Sequence, residues 1–155
     1  MSILVTGGLG YIGSMTVAAL QTRGDEVVVI DNLSTGHPES IPVGVPLARG
    51  ELSDHGLLRS VIREYRVDRV IHFAACTSVL ESVQDPGKYF KNNTLNTLGL
   101  LEVMRESGID QIIYSSTAAI YGEPEQTPID ENHPMLPVNP YGQSKRFSEI
   151  MLDAF

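Results

Sequence analysis

The chain has 155 residues, enough at roughly 100 to 200 residues per domain for one domain with a buried core. Hydrophobic residues make up 42% and charged residues 19%, which excludes a disordered or fibrous polypeptide. Eleven Lys and Arg against 19 Asp and Glu give a net charge of −8, which disfavours counterion release along a nucleic acid, although backbone amides can still hold a small anion. The single cysteine, Cys76, has no partner for an internal disulfide, and the four histidines lack metal-ligand spacing. No apolar run approaches the ~18 residues needed to span a bilayer, and MSILVTGG lacks the basic start of a secretion signal. The expectation is a cytosolic protein with no nucleic-acid or membrane partner and no metal.

In chain order, Ser2 to Thr6 reads as a short buried strand, and Tyr11 to Arg23 as a helix stopped by Gly24. Glu26 to Asp31 is a second strand. A Ser-, Gly- and Pro-rich loop runs from Asn32 to Pro46, followed by a weak strand at Leu47, Ala48 and Arg49. Ser53 is the expected N-cap of a helix reaching about Arg66, with Leu57, Leu58, Val61 and Ile62 at core-facing spacing. Asp68 to Ala75 makes the fourth strand, and Pro86 opens a long helix to Ser107 that Gly108 ends. Ile109 to Ser116 is the fifth strand. Thr117 to Val138 carries four prolines and little periodicity, the pattern of a long ordered loop with a functional role. Asn139 and Pro140 then cap and open a helix to Phe155.

This alternation predicts a Rossmann-like, doubly wound α/β domain over residues 1–155, with about five parallel strands and helices on both faces. Such sheets bind ligands beyond the carboxyl ends of their strands, here after Thr6, Asp31, Ala75 and Ser116.

The first strand leads into TGGLGYIG. Gly7, Gly10 and Gly13 lie three apart, and Gly8, Gly10 and Gly13 also satisfy G-x-G-x-x-G. Glycines there permit a tight turn, backbone approach to a pyrophosphate, and packing of helix on strand, while the helix start offers free N–H groups to phosphate. The second strand ends in Asp31, whose carboxylate can accept both ribose hydroxyls of an adenosine and repels the extra phosphate of NADP, so NAD is the expected cofactor. In PYGQSK, Tyr141 and Lys145 stand one helical turn apart on one face. An ammonium beside a phenol favours the phenolate, as does a positive nicotinamide ring, which suits Tyr141 as a general base toward a sugar hydroxyl. Ser115, Ser116 and Thr117 supply hydroxyls at the exit of the fifth strand.

Together LVTGGLGYIGS, DNLSTGH, VIHFAA with ESVQDP, the pair Asn92 and Asn93, YSSTAAIYG and NPYGQSK resemble the extended short-chain dehydrogenase/reductase family, and within it the 4-epimerases of UDP-hexoses. The resemblance implies that bound NAD takes a hydride from C4 while Tyr141 takes the 4-hydroxyl proton, and that the keto sugar rotates and is reduced on its other face. That interconverts the glucose and galactose configurations. It also implies that Thr117 bridges the sugar hydroxyl and Tyr141, and that Lys145 holds the nicotinamide ribose. Tyr11 and Ile12 are placed at the pyrophosphate, with Asp31, Asn32, Leu33, Ser34, Thr35 and Gly36 around the adenosine. Glu51 and Leu52 lie near the adenine, Phe73, Ala74, Ala75 and Thr77 along the cofactor, and Asn93 supports the cofactor side of the pocket.

The related 4,6-dehydratases place an Asp-Glu pair where this chain has Ala118 and Ala119, and decarboxylases place a glutamate at Ala119, so neither reaction is expected. Three residues depart from the family pattern: Glu51 for an aspartate, Thr77 where some epimerases have lysine, and Met15 for a common histidine. Family members continue past the Tyr141 helix into a substrate lobe, so the expectation is an NAD-binding portion with weak activity or none alone. A homodimer through helices 86–107 and 139–155 is also implied. Two alternatives stay open: a non-catalytic NAD-binding regulatory module, and another member of the family acting on a different sugar.

Overall fold

The structure, a computed structural model, describes residues 1–155 and divides into two units, Met1–Ala74 with Gly99–Ser115, and Ala75–Leu98 with Ser116–Phe155. In the first unit, β1 (Ser2–Thr6) is buried throughout, as a central strand covered on both faces must be. It lies between β2 (Val27–Asp31), also buried throughout, and β4 (Val67–His72). The outer strands β3 (Leu47–Arg49) and β5 (Ile112–Tyr114) are shorter and half-exposed. All pairings are parallel and the order is β3-β2-β1-β4-β5. The order therefore reverses between β1 and β4, the position at which doubly wound sheets open a ligand crevice.

Helix α1 (Tyr11–Arg23) joins β1 to β2 and α2 (His55–Tyr65) joins β3 to β4. With right-handed crossovers these two helices fall on opposite faces, because the chain steps along the sheet in opposite directions. Ile3, Val5, Leu9, Val17, Val27 and Val29 belong to one buried cluster, with Leu33 and Phe73 packed against it. Gly24 adopts φ +89 and donates to Gln21 O, and Asp25 N donates to Leu20 O, closing α1 as its sequence predicts.

Several boundaries differ from expectation. The helix after β3 is capped by Asp54 rather than Ser53, because the Asp54 carboxylate accepts from Leu57 N at 2.9 Å. Its buried face is Leu58, Val61 and Ile62, with Leu57 half-buried. The strands expected over Glu26–Asp31, Asp68–Ala75 and Ile109–Ser116 span Val27–Asp31, Val67–His72 and Ile112–Tyr114. β4 stops at His72 because its ladder with β1 ends at the Thr6–His72 pair.

In the second unit, α3 (Val79–Gln84) is a helix the periodicity did not reveal, and Ser78 caps it by accepting from Glu81 N. Pro86 opens α4 (Pro86–Tyr89) as predicted. The helix expected to run unbroken to Ser107 instead widens into a π-helical stretch, Phe90–Leu95, before α5 (Asn96–Glu106). Gly108 then takes φ +71. The expected loop from Thr117 carries a 3₁₀ turn, Ala118–Tyr121. The last helix, α6 (Pro140–Ala154), starts at its predicted cap, where Asn139 Oδ1 accepts from Gly142 N at 2.8 Å.

Candidate functional site

The glycine turn is built by close approach of backbone to backbone. Gly7 has φ +69, and a Cβ there would stand 2.6 Å from Ala74 N. A Cβ at Gly13 would stand 2.3 Å from the Gly7 carbonyl. No side chain larger than glycine fits either place without moving backbone. Gly10 is the N-cap of α1 and offers no side-chain acceptor, and Tyr11 is 87% exposed. The first-turn amides of α1 therefore keep no side-chain partner and suit an anion.

Asp31 is buried at the end of β2. Its Oδ2 accepts from Leu9 N at 3.0 Å and its Oδ1 from Leu33 N at 2.8 Å. Each oxygen retains a further lone pair, so Asp31 can accept ribose hydroxyls and still hold these amides. The amide bonds explain how Leu33 sustains φ +60, a conformation rare outside glycine. Asn32 Oδ1 accepts from Ser34 N, and its Nδ2 donates to Glu51 at 3.1 and 3.3 Å. Ser34, Thr35 and Glu51 are exposed, whereas Leu52 and Gly36 are buried, a Cβ at Gly36 falling 2.5 Å from Leu9 Cβ. Phe73 and Ala74 follow β4 and are half-buried. Thr6 Oγ1 and the buried His72 Nδ1 lie 2.5 Å apart, a pairing of the two strand ends the sequence did not signal.

The second unit carries the remaining expected residues. Ala75 is half-buried and Thr77 exposed. Asn93, at the middle of the π-helical stretch, is buried with its amide fully used. Its Oδ1 accepts from Cys76 N (2.8 Å) and Asn92 Nδ2 (3.0 Å), and its Nδ2 donates to Cys76 O (2.9 Å) and Ser144 Oγ (3.1 Å). Ser144 Oγ in turn donates to Tyr141 O at 2.8 Å. The Asn93 carbonyl accepts from the Thr97 and Ser148 hydroxyls, so it is satisfied within the wide helical turn.

Thr117 Oγ1 accepts from Ala119 N at 3.2 Å, which leaves its hydroxyl hydrogen available to donate. Ala119 O lies close to α6, where a Cβ at Gly142 would meet it at 2.5 Å. Ser116 Oγ is buried with no hydrogen-bond partner, an orphan of the kind that marks a functional site. The loop beyond is held by His133, whose Nε2 accepts from Glu125 N while Nδ1 donates to Pro134 O, and whose ring meets Tyr121 edge-on.

Tyr141 is half-buried, and its ring stands edge-to-face with that of Tyr89, centroids 6.2 Å apart at 82°. Tyr89 is fully buried and donates to Glu81 Oε2 at 2.8 Å. Burial, reinforced by the Glu81 carboxylate, pushes the Tyr89 phenol up to about 12, so it stays protonated and is no general base. Lys145 is buried on α6, and that burial pulls its ammonium down to about 8, opposed by the Glu149 charge. Ser78-x-x-Glu81 is a capping-box spacing and was the available signal for α3, whereas nothing local marks Tyr89 or Ser144.

The glycine cradle before a helix start, the buried carboxylate ending β2 and the Tyr-Lys pair on α6 carry the pattern of a dinucleotide-binding class of α/β proteins. The chain belongs to the NAD dependent epimerase/dehydratase family, whose model matches residues 3–155. It is 51% identical over 150 residues to the UDP-glucose 4-epimerase of Azospirillum brasilense, covering 97% of this chain and 43% of that one. The crystal structure of the Thermus thermophilus UDP-glucose 4-epimerase in complex with NAD superposes with a TM-score of 0.95 at 45% identity, over 99% of this chain and 50% of that one. The Bifidobacterium longum UDP-glucose 4-epimerase in complex with NAD⁺ and UDP gives 0.94 at 38% identity, over 99% and 48%. The chain thus spans about half the length of the relatives it matches.

Because the folded value of Lys145 lies below the unfolded 10.5, its charged form costs stability, fully below about pH 8 and progressively less as pH rises toward 10.5. Raising the pH from about 7 to about 10 is expected to stabilise the protein relative to Lys145→Met by on the order of 2 kcal/mol. Urea unfolding of both proteins at the two pH values measures this, and a pH-independent difference contradicts it.

Proposed function

We propose that this chain supplies the cofactor-binding and acid–base part of an NAD-dependent 4-epimerase of UDP-sugars. The observation that carries the reading is the cradle at Gly7 and Gly13 with Asp31 buried beside it. The residues present fit NAD: the uncapped start of α1 at Gly10, Tyr11 and Ile12 suits the pyrophosphate, Asp31 with Asn32 to Gly36 suits the adenosine ribose, and Glu51 and Leu52 suit the adenine. Within the second unit, the family resemblance assigns Ala75, Thr77, Asn93, Thr117, Tyr141 and Lys145, and the orphaned Ser116 hydroxyl supports a polar ligand there.

NAD, when bound, supplies hydride acceptance at the sugar C4 and its return to the opposite face, which inverts that carbon. Tyr141 takes the proton from the 4-hydroxyl and later returns it. Thr117, its oxygen engaged by Ala119 N, donates its hydroxyl hydrogen toward the reacting oxygen. Lys145, one helical turn from Tyr141, would hold the nicotinamide ribose, with burial setting its ammonium at about 8. Ala118 and Ala119 offer no carboxyl group for elimination of water, which favours epimerisation over dehydration.

We also assign the protein to the cytosol as a homodimer; no helix is long and apolar enough to cross a membrane. Leu95, Phe147, Ile150 and Phe155 are each about half exposed on segments 86–107 and 139–155, and Phe90 and Phe147 pack at 5.9 Å. Sedimentation velocity is expected to show a dimer that Phe147→Glu converts to monomer; a monomer from the start contradicts it. Isothermal calorimetry with NAD and NADP tests the cofactor reading. NAD is expected to bind tighter by about tenfold or more, since the Asp31 carboxylate repels a 2′-phosphate. Absent NAD binding, or equal affinities, contradicts it.

A further inference from the structure

We propose that Tyr89, hung on Glu81, is a positioning residue that holds the ring of Tyr141 in one orientation, an inference resting on the reading of Tyr141 as the proton-transfer residue. The backbone of α6 at Tyr141 is already fixed by other contacts. Asn139 caps the helix through Gly142 N, and Ser144 Oγ donates to Tyr141 O. Neither contact restrains the side-chain torsions that carry the phenol. The geometry leaves that task to the aromatic neighbour: the Tyr89 ring stands at 82° to Tyr141, the edge-to-face arrangement that aromatic pairs prefer.

Tyr89 is itself held at its far end. Its hydroxyl donates to Glu81 Oε2 at 2.8 Å, while Lys88 Nζ occupies Oε1 at 2.5 Å. Glu81 sits on α3, whose N-terminus is capped by Ser78, and Lys88 N is held by Asp85 Oδ1 at 3.0 Å. The Lys88 ammonium and the Tyr89 hydroxyl keep the Glu81 carboxyl below its usual range, so the anchor stays charged at neutral pH. A buried ring fixed at one end by a charge-assisted bond is a rigid wall, and a side chain that must deliver a proton gains from such pre-organisation.

The test is carbon-13 relaxation dispersion on the labelled ring of Tyr141 in the chain without added cofactor. Its outcome is therefore independent of whether Tyr141 serves as a base, which the cofactor and activity experiments decide. In Tyr89→Leu the ring-flip rate of Tyr141 is expected to rise about three- to tenfold with the amide shifts of α6 unchanged, and Tyr89→Phe, which keeps the ring but loses the Glu81 anchor, is expected to raise it by only about twofold. An unchanged rate in Tyr89→Leu, or a Tyr89→Phe as fast as Tyr89→Leu, overturns the proposal. Should Tyr89→Leu fail to fold, Glu81→Leu releases the anchor from the half-exposed side. A faster Tyr141 flip then supports the proposal and an unchanged one overturns it.

Discussion

The first unit depends on one carboxylate. Asp31 accepts from Leu9 N inside the glycine turn and from Leu33 N just beyond β2, and so ties the β1–α1 turn to the loop that leaves the next strand. A carboxylate accepting two backbone amides in a buried place is a strong, short-range staple. It stands beside the turn where only glycine fits at positions 7 and 13, and its bond to Leu33 N compensates the left-handed conformation of that residue. In the proposed reading the same side chain selects the cofactor, so the group that shapes the cradle also reads its ligand.

The second unit is organised around an amide instead. Asn93 uses every donor and acceptor of its side chain, joining the backbone at Cys76 to Ser144 on the helix that bears Tyr141 and Lys145. The π-helical stretch gives the Asn93 carbonyl two hydroxyl partners, Thr97 and Ser148. A fully satisfied polar network of this kind specifies one arrangement, because any shift leaves a buried group unpaired. Beside it, burial rather than a charge partner sets the protonation of Lys145. Tyr89 and Tyr141 show the same logic between two phenols, one locked in its neutral form by burial beside Glu81 and the other left half-exposed.

Much of the fold was legible because the signals were local. The strand β1, the helix α1 with its Gly24 stop, and the Asn139–Pro140 start of α6 stand where residue pattern and capping chemistry place them. Misplaced boundaries have local causes as well: the Asp54 carboxylate accepts from Leu57 N, so the helix starts one residue after the expected Ser53 cap. What stayed hidden arises from contacts distant in sequence. The π widening exists to satisfy Asn93 against Cys76 and Ser144, residues 17 and 51 positions away, and no periodicity encodes that. The glycine spacing and the Tyr-Lys pair marked the candidate site from type and interval alone. The amide partners of Asp31, the anchor of Tyr89 and the loop-holding role of His133 required the third dimension.

The central claim is that the glycine turn and Asp31 form the seat of a dinucleotide, and amide chemical-shift mapping during titration with NAD addresses it most directly. The account predicts that the largest perturbations fall on Gly7 to Gly13 and on Asp31 to Gly36, with saturable behaviour at a single affinity. Perturbations confined to other segments, or none at these two, would contradict it.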